Sequence, residues 1–220
     1  MSRTRSAEEL AERINAGIEA LGQQPRQYPV DSYVSYLQLL GQWGKTYNLT
    51  AIQDPDAMVT LHVLDSLAVL PYVQGVHALD VGTGAGMPGL ILALARPAMH
   101  WTLLDSRRKK IRFLNQVTME LGLTNVETVC VRVEEFRPGT LFTTVISRAF
   151  GSLHTFYAGA GHLLSPGGIL LAMKGGKISS EIEELQGLND APHIQVHSLA
   201  VPGMGKERCL VEMRGKGSEQ

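Results

Sequence analysis

Cysteine is nearly missing from this chain: Cys130 and Cys209 are its only two in 220 residues. They lie far apart, each in an apparent strand, which rules out a disulfide framework and leaves no ligand cluster for a metal. Such usage fits a reducing compartment, so a cytoplasmic protein is expected. No stretch of about 18 uncharged apolar residues occurs, so no membrane span is expected. The first 22 residues carry Arg3, Arg5, Glu8, Glu9, Glu12 and Arg13 and lack the apolar centre of an export signal. An excess of one charge is missing too, since 20 Lys and Arg face 21 Asp and Glu. That balance argues against nonspecific coating of nucleic acid and leaves room for a local basic face. There is no internal repeat, no low-complexity segment and no sign of an obligate protein partner. Two missing motifs bear on chemistry. Asn/Asp-Pro-Pro-Tyr, which would position an exocyclic amine, does not occur, and neither cysteine follows a proline as a C5-attacking nucleophile would.

The most informative stretch present runs from His77 to Ala95, an apolar strand followed by a glycine-rich turn and a short buried helix. Val76, Leu79 and Val81 read as a buried strand. The turn Gly82-Thr83-Gly84-Ala85-Gly86 permits close backbone approach, and Pro88 suits a first helical turn. Gly84, Gly86 and Gly89 also satisfy the dinucleotide spacing G-x-G-x-x-G. Asp80 argues against a dinucleotide, because an acid before the turn repels a pyrophosphate and suits a cofactor with an ammonium and a sulfonium. S-adenosylmethionine has both. The next strand ends in Asp105, roughly 20 residues on, where a ribose diol is held in such folds. The plainer alternative is a tight strand-to-helix turn with no ligand.

Before the turn, Leu10, Ile14, Ile18 and Leu21 predict a helix over 6–22. Asp31 or Ser32 is expected to cap a second helix reaching Trp43, and a third follows Asp54-Pro55 up to Pro71. Residues 1–72 thus read as a helical extension able to lie over the cofactor crevice. In the intervening Lys45 to Ile52, Asn48 and Thr50 are either base contacts or parts of a capped turn. His62 and Asp65 share a helical face and read as a hydrogen-bonded pair or as pocket lining.

From 73 to 215, strands and helices alternate, predicting a mostly parallel sheet covered on both faces. The expected strands are 100–105, 126–132, 142–148 and 168–174, with helices at 107–121, 152–164 and 179–187. The strand-like stretches 193–200 and 208–213 predict a terminal antiparallel hairpin, which separates a methyltransferase-type sheet from a dinucleotide-binding one. Residues 216–220 read as a disordered tail.

Several residues are candidates for chemistry. Arg107, Arg108, Lys109, Lys110 and Arg112 open a helix with cations, against its macrodipole, an arrangement that an external phosphate offsets; a solvated face is the bland reading. Glu134 is a candidate acceptor for an adenine amino group and Val133 for packing its ring. Arg148 interrupts an apolar strand and needs an anionic partner: the cofactor's carboxylate, Asp80 or an RNA phosphate. Lys174 ends a strand before Gly175-Gly176 and is a candidate RNA contact, as is Arg208. Guanine N7 carries no proton, so methyl transfer to it requires alignment and no general base. No catalytic acid or base is therefore expected, with Arg148 and Lys174 as positioning candidates.

Taken together, Tyr47 to Ile52, His62 to Leu67, Leu79 to Gly89, Leu103 to Ser106, Lys109-Lys110, Arg132 to Phe136, Ser147 to Phe150, Met173 to Gly175 and Glu207-Arg208 resemble the bacterial small-subunit (16S) ribosomal RNA guanine-N7 methyltransferases, once called glucose-inhibited division protein B. The resemblance covers about residues 43–213. It implies a Rossmann-like class I methyltransferase of α/β class using S-adenosylmethionine, acting on RNA or a 30S-type particle. It places cofactor contacts at Gly82, Met87, Asp105, Ser106, Val133, Glu134 and Arg148. Met87 stands where Phe or Leu is usual, and Leu61 where a basic residue commonly precedes the histidine. A small-molecule methyltransferase and a noncatalytic nucleotide-binding module are the other functions compatible with the residues alone.

Overall fold

The computed structural model describes residues 5–176 and 178–215; the tail expected over 216–220 lies outside them. Helix α1 (Ala7–Ala20) begins at a capping box, in which Ser6 Oγ accepts from the Glu9 N–H at 3.1 Å and Glu9 Oε2 accepts from the Ser6 N–H at 2.9 Å. Its buried stripe is Leu10, Ile14, Gly17 and Ile18. Helix α2 (Val30–Tyr47) starts directly after Pro29 with no side-chain cap, so neither Asp31 nor Ser32 has the expected role. It also runs four residues past Trp43, until Asn48 enters the left-handed region at φ 49°. The third helical segment is irregular: α3 (Pro55–Met58), a π-helical stretch Val59–Leu64, and α4 (Asp65–Leu67).

Seven strands follow in one sheet, ordered β3-β2-β1-β4-β5-β7-β6. They are β1 (His77–Val81), β2 (His100–Leu104), β3 (Val126–Val129), β4 (Phe142–Arg148), β5 (Leu164–Gly175), β6 (His193–Ser198) and β7 (Arg208–Arg214). β1 to β5 pair in parallel, while β7 runs antiparallel between β5 and β6, as the hairpin reading predicts. Helices α5 (Gly89–Ala95) and α6 (Arg108–Glu120) cover one face; α7 (Leu153–Ala160) and α8 (Ser179–Gln186) cover the other. Alternation along the strands divides the core. Ala78, Trp101, Leu103, Ile146 and Leu171 point to the α5 and α6 side, whereas Leu79, Val81, Leu104, Val145 and Leu170 point to the α7 and α8 side.

Helices α1 and α2 and the π-helical stretch belong to the first of these cores. Two expectations fail at element ends. Val76 precedes β1 and is 58% exposed, and Cys130 follows β3 and is exposed. No helix among the described residues is long and apolar enough to cross a membrane.

The sheet order reverses between β1 and β4: the chain winds outward from β1 through β2 to β3, then returns to lay β4 on the other side of β1. In open parallel sheets, that reversal opens a crevice at the carboxyl ends of the strands, where ligands bind. The glycine turn after β1 lies there.

Candidate functional site

The turn is built by its own backbone and by three side chains. Gly82, Gly84 and Gly86 all have positive φ, at 68°, 60° and 100°, a region L side chains rarely adopt. Asp80 follows Ala78 by two on β1, so its carboxylate enters the α5 face of the sheet. There Oδ2 accepts from Thr83 Oγ1 at 2.6 Å and from the Gly89 N–H, the first of α5, at 2.8 Å. Tyr36 of α2 donates its hydroxyl to the Ala85 carbonyl at 2.9 Å, fixing the turn from outside.

Asp80 is fully buried and does not line the crevice. Its carboxylate ties the turn to α5, a role that the reading from charge alone missed. Burial pushes its pKa up to about 6, although the Thr83 and Gly89 bonds pull the other way. The folded chain therefore holds this proton more tightly than the unfolded chain, whose aspartates titrate near pH 4. The stability this contributes is full below about pH 4 and is lost as pH rises through about 6. Asp80→Asn removes that titration. Melting curves from pH 4 to 7 should show the wild type losing stability relative to the variant, and parallel curves would show that Asp80 stays charged throughout.

Beside the turn lies a cleft of about 480 Å³, lined by Gly82, Gly84, Asp105, Ser106, Arg107, Val133, Glu134 and Arg148 among others. At the end of β2, Asp105 accepts from the Gly84 N–H through Oδ2 at 3.0 Å and from the Arg107 N–H through Oδ1 at 2.8 Å. One carboxylate thereby holds the glycine turn against the start of α6. Val133 is buried and Glu134 exposed on a single 3₁₀ turn across the cleft. Thr83, Gly86 and Met87 lie in the buried layer and not on the cleft wall.

Arg148 does not reach Asp80, one of the partners proposed for it. Its Nη1 donates to the Leu61 carbonyl at 2.7 Å and to Asp65 Oδ2 at 3.3 Å, and Nη2 meets Met87 Sδ at 3.3 Å. Asp65 also accepts two bonds from Arg208, at 2.9 and 2.5 Å. The expected His62–Asp65 pair is thus replaced. His62 instead meets Thr50 Oγ1 at 3.2 Å, and burial and nearby Arg148 lower its pKa to about 4. Thr50 also accepts from the Ile52 N–H, as the capped-turn reading has it.

The candidate RNA contacts divide. Arg107, Arg108 and Lys109 are exposed at the start of α6, and Lys109 donates to the Tyr47 carbonyl at 3.3 Å. Lys110 turns inward and donates to the Leu49 carbonyl, and burial lowers its pKa. Helical spacing carried that signal, since Lys110 shares a stripe with Phe113, Leu114 and Val117. Lys174 binds Glu181 at 2.7 Å and the Gly151 carbonyl. Arg208 is engaged by Asp65. These last three cations thus have internal partners, whereas Arg107 and Arg108 remain exposed at the start of α6.

The lining fits a cofactor with an adenosine and a carboxylate. Asp80 Oδ1 is buried beneath the turn without a hydrogen-bond partner among the described residues, in keeping with a carboxyl whose pKa burial raises. Asp105 and Glu134 are acceptors for hydroxyl and amino groups, and Arg148 is a donor for a carboxylate. No group of His, Cys, Asp and Glu among the described residues could hold a metal ion.

Comparison with known proteins accords with this chemistry. The family model described as rRNA small subunit methyltransferase G (GidB) matches residues 30–211. The chain is 46% identical over 201 residues to a ribosomal RNA small subunit methyltransferase G from Nitrosococcus oceani, covering 91% of this chain and 93% of that protein. It is 45% identical over 189 residues to one from Legionella pneumophila, covering 86% and 88%. Among solved structures, a SAM-dependent O-methyltransferase from Thermotoga maritima superimposes with a TM-score of 0.54 at 14% identity, over 71% of this chain and 66% of that one. A SAM-dependent methyltransferase from Aquifex aeolicus gives 0.53 at 19%, over 71% and 92%. At such identities the two structures establish the class I fold alone.

Proposed function

We propose a residue-level reading from the premise that this chain belongs to the rRNA small subunit methyltransferase G family: it methylates N7 of one guanine in small-subunit (16S) ribosomal RNA. S-adenosylmethionine supplies the electrophilic methyl group. In this reading Asp105 holds the ribose diol, with Ser106 beside it, and Glu134 accepts the adenine amino group while Val133 packs against the ring. Gly82 and Gly84 let the backbone approach the cofactor closely, and Arg148 binds its carboxylate. Asp80, Thr83, Gly86 and Met87 support the turn from below. Because N7 presents a lone pair without a proton, the protein's work is alignment and exclusion of water, with no general base required.

The observation that carries this reading is the cleft itself: a glycine turn, two acceptor carboxylates and one arginine converge at the sheet's switch point, with exposed cations at its rim. Arg107, Arg108 and Lys109 meet the RNA backbone there, in the cytoplasm, on free RNA or an assembling particle. Residues 73–215 form the catalytic unit, and residues 5–72 a helical extension packed against it. The test is transfer of labelled methyl to small-subunit RNA, or to particles, lacking the modification. Label mapped to a guanine is expected; label on no RNA, or only on small molecules, overturns the reading.

A second measurement addresses the basic rim. Changing Arg108 and Lys109 together to Ala should flatten the plot of log affinity for RNA against log salt by roughly 1.5, since each phosphate contact contributes about 0.7 to 0.9. Cofactor affinity should stay unchanged. An unaltered slope would remove these residues from the interface.

A further inference from the structure

The role of Asp65 is not explained by cofactor or RNA contact, yet it is fully buried and holds two arginines. Arg148 comes from the carboxyl end of β4. Arg208 comes from the start of β7, opposite Gly175 at the end of β5. Both therefore stand on the rim of the sheet where the cleft opens. Asp65 arrives from the helical extension, and its own N–H bonds back to the Thr60 carbonyl, five residues earlier, in the π-helical stretch. Such wide turns recur at functional sites. Here the Leu61 carbonyl of the same turn accepts from Arg148.

We propose that Asp65 is a positioning residue: its carboxylate, shared by Arg148 and Arg208, orients Arg148 in the cofactor cleft and couples the helical extension to cofactor binding. The inference rests on the reading of Arg148 above. Three of the five N–H donors of Arg148 are engaged by Leu61, Asp65 and Met87, so the guanidinium plane is fixed on three contacts. Nε and one N–H of Nη2 have no partner among the described residues and are left for a ligand. Two guanidiniums on one carboxylate also leave one positive charge over, which favours an anionic ligand group at the rim. A buried ion cluster is a poor source of stability compared with apolar packing, so its placement at the cleft points to orientation as its role.

Asp65→Asn keeps the shape and removes the charge, and calorimetry on the full chain gives the readout. Affinity for S-adenosylhomocysteine is expected to fall roughly tenfold, in line with the loss of a charge-assisted bond. RNA affinity should hold or tighten, because the cluster's charge rises from +1 to +2. A merely structural acid would weaken both together. S-adenosylhomocysteine affinity within about twofold of wild type, or RNA affinity lost in step with it, overturns the proposal. If Asp65→Asn does not fold, Arg208→Gln, which leaves Asp65 paired with Arg148, decides: loosening Asp65 from one side should cost several-fold in cofactor affinity at a temperature where the variant is folded, and unchanged affinity overturns it. Should the wild type bind S-adenosylhomocysteine yet label no RNA, the functional reading fails while this calorimetric comparison still stands.

Discussion

Asp105→Asn is expected to weaken cofactor binding by about 1.5 to 3 kcal/mol, or roughly 10- to 150-fold, one of the two largest effects expected of a single substitution here. The change looks minimal, but both carboxylate oxygens already accept backbone N–H bonds, Oδ2 from Gly84 and Oδ1 from Arg107. An amide has one oxygen, so its NH₂ must face one of those two donors. Either the side chain rotates, releasing the glycine turn or the first turn of α6, or a donor opposes a donor. The second lone pair of each oxygen is also what a ribose hydroxyl would use, and the charge that strengthens those bonds disappears. Calorimetric titration with S-adenosylhomocysteine measures this directly. Equal affinity in wild type and variant would take Asp105 out of the cofactor site.

The contrast with the basic run shows which parts of the site were legible. The glycine turn, Asp105 and the strand-helix alternation are encoded locally: glycine spacing, an acid at a strand end, and periods of two and 3.6 residues. Each is visible within a window of about 20 residues. The Asp65 cluster is not, since its partners lie 83 and 143 residues away in sequence. An isolated arginine in an apolar strand announces that it needs an anion, but only the folded chain selects Asp65 over Asp80.

The same limit explains Lys174 and Arg208. Residue type and a strand end suggested an exposed cation, whereas Glu181 and Asp65 approach from other elements. Lys110 is different, because its place on the apolar stripe of α6 was readable from spacing. The helical period lets only part of the charge run face outward, and Lys110 is the member that turns in. The uncapped start of α2 belongs with the long-range cases, since Tyr33 and Tyr36 set its position by donating to Ile91 and Ala85.

Gly89→Ala should destabilise the fold by about 3 kcal/mol, at the upper end of what overpacking a tight core costs. A Cβ at this position would come within 2.5 Å of Leu103 Cδ2, 2.6 Å of Asp80 Cβ and 2.7 Å of Asp80 Oδ2. Leu103 can rotate, but Asp80 Cβ is fixed by β1 and cannot. Helix α5 must then move off the sheet, stretching the Gly89 N–H bond to Asp80 that anchors the glycine turn. For a chain of this size the loss corresponds to a melting temperature lowered by roughly 6–12 °C, with weakened cofactor binding beside it. Gly41→Ala supplies the opposite sign from the same chemistry. Gly41 lies within α2 and nothing stands within 4 Å of its absent Cβ, so alanine there should stabilise by up to about 1 kcal/mol through helix propensity. Thermal unfolding of the two variants side by side separates close approach from propensity. If Gly89→Ala melts with the wild type, α5 does not pack on β1 as closely as these distances require.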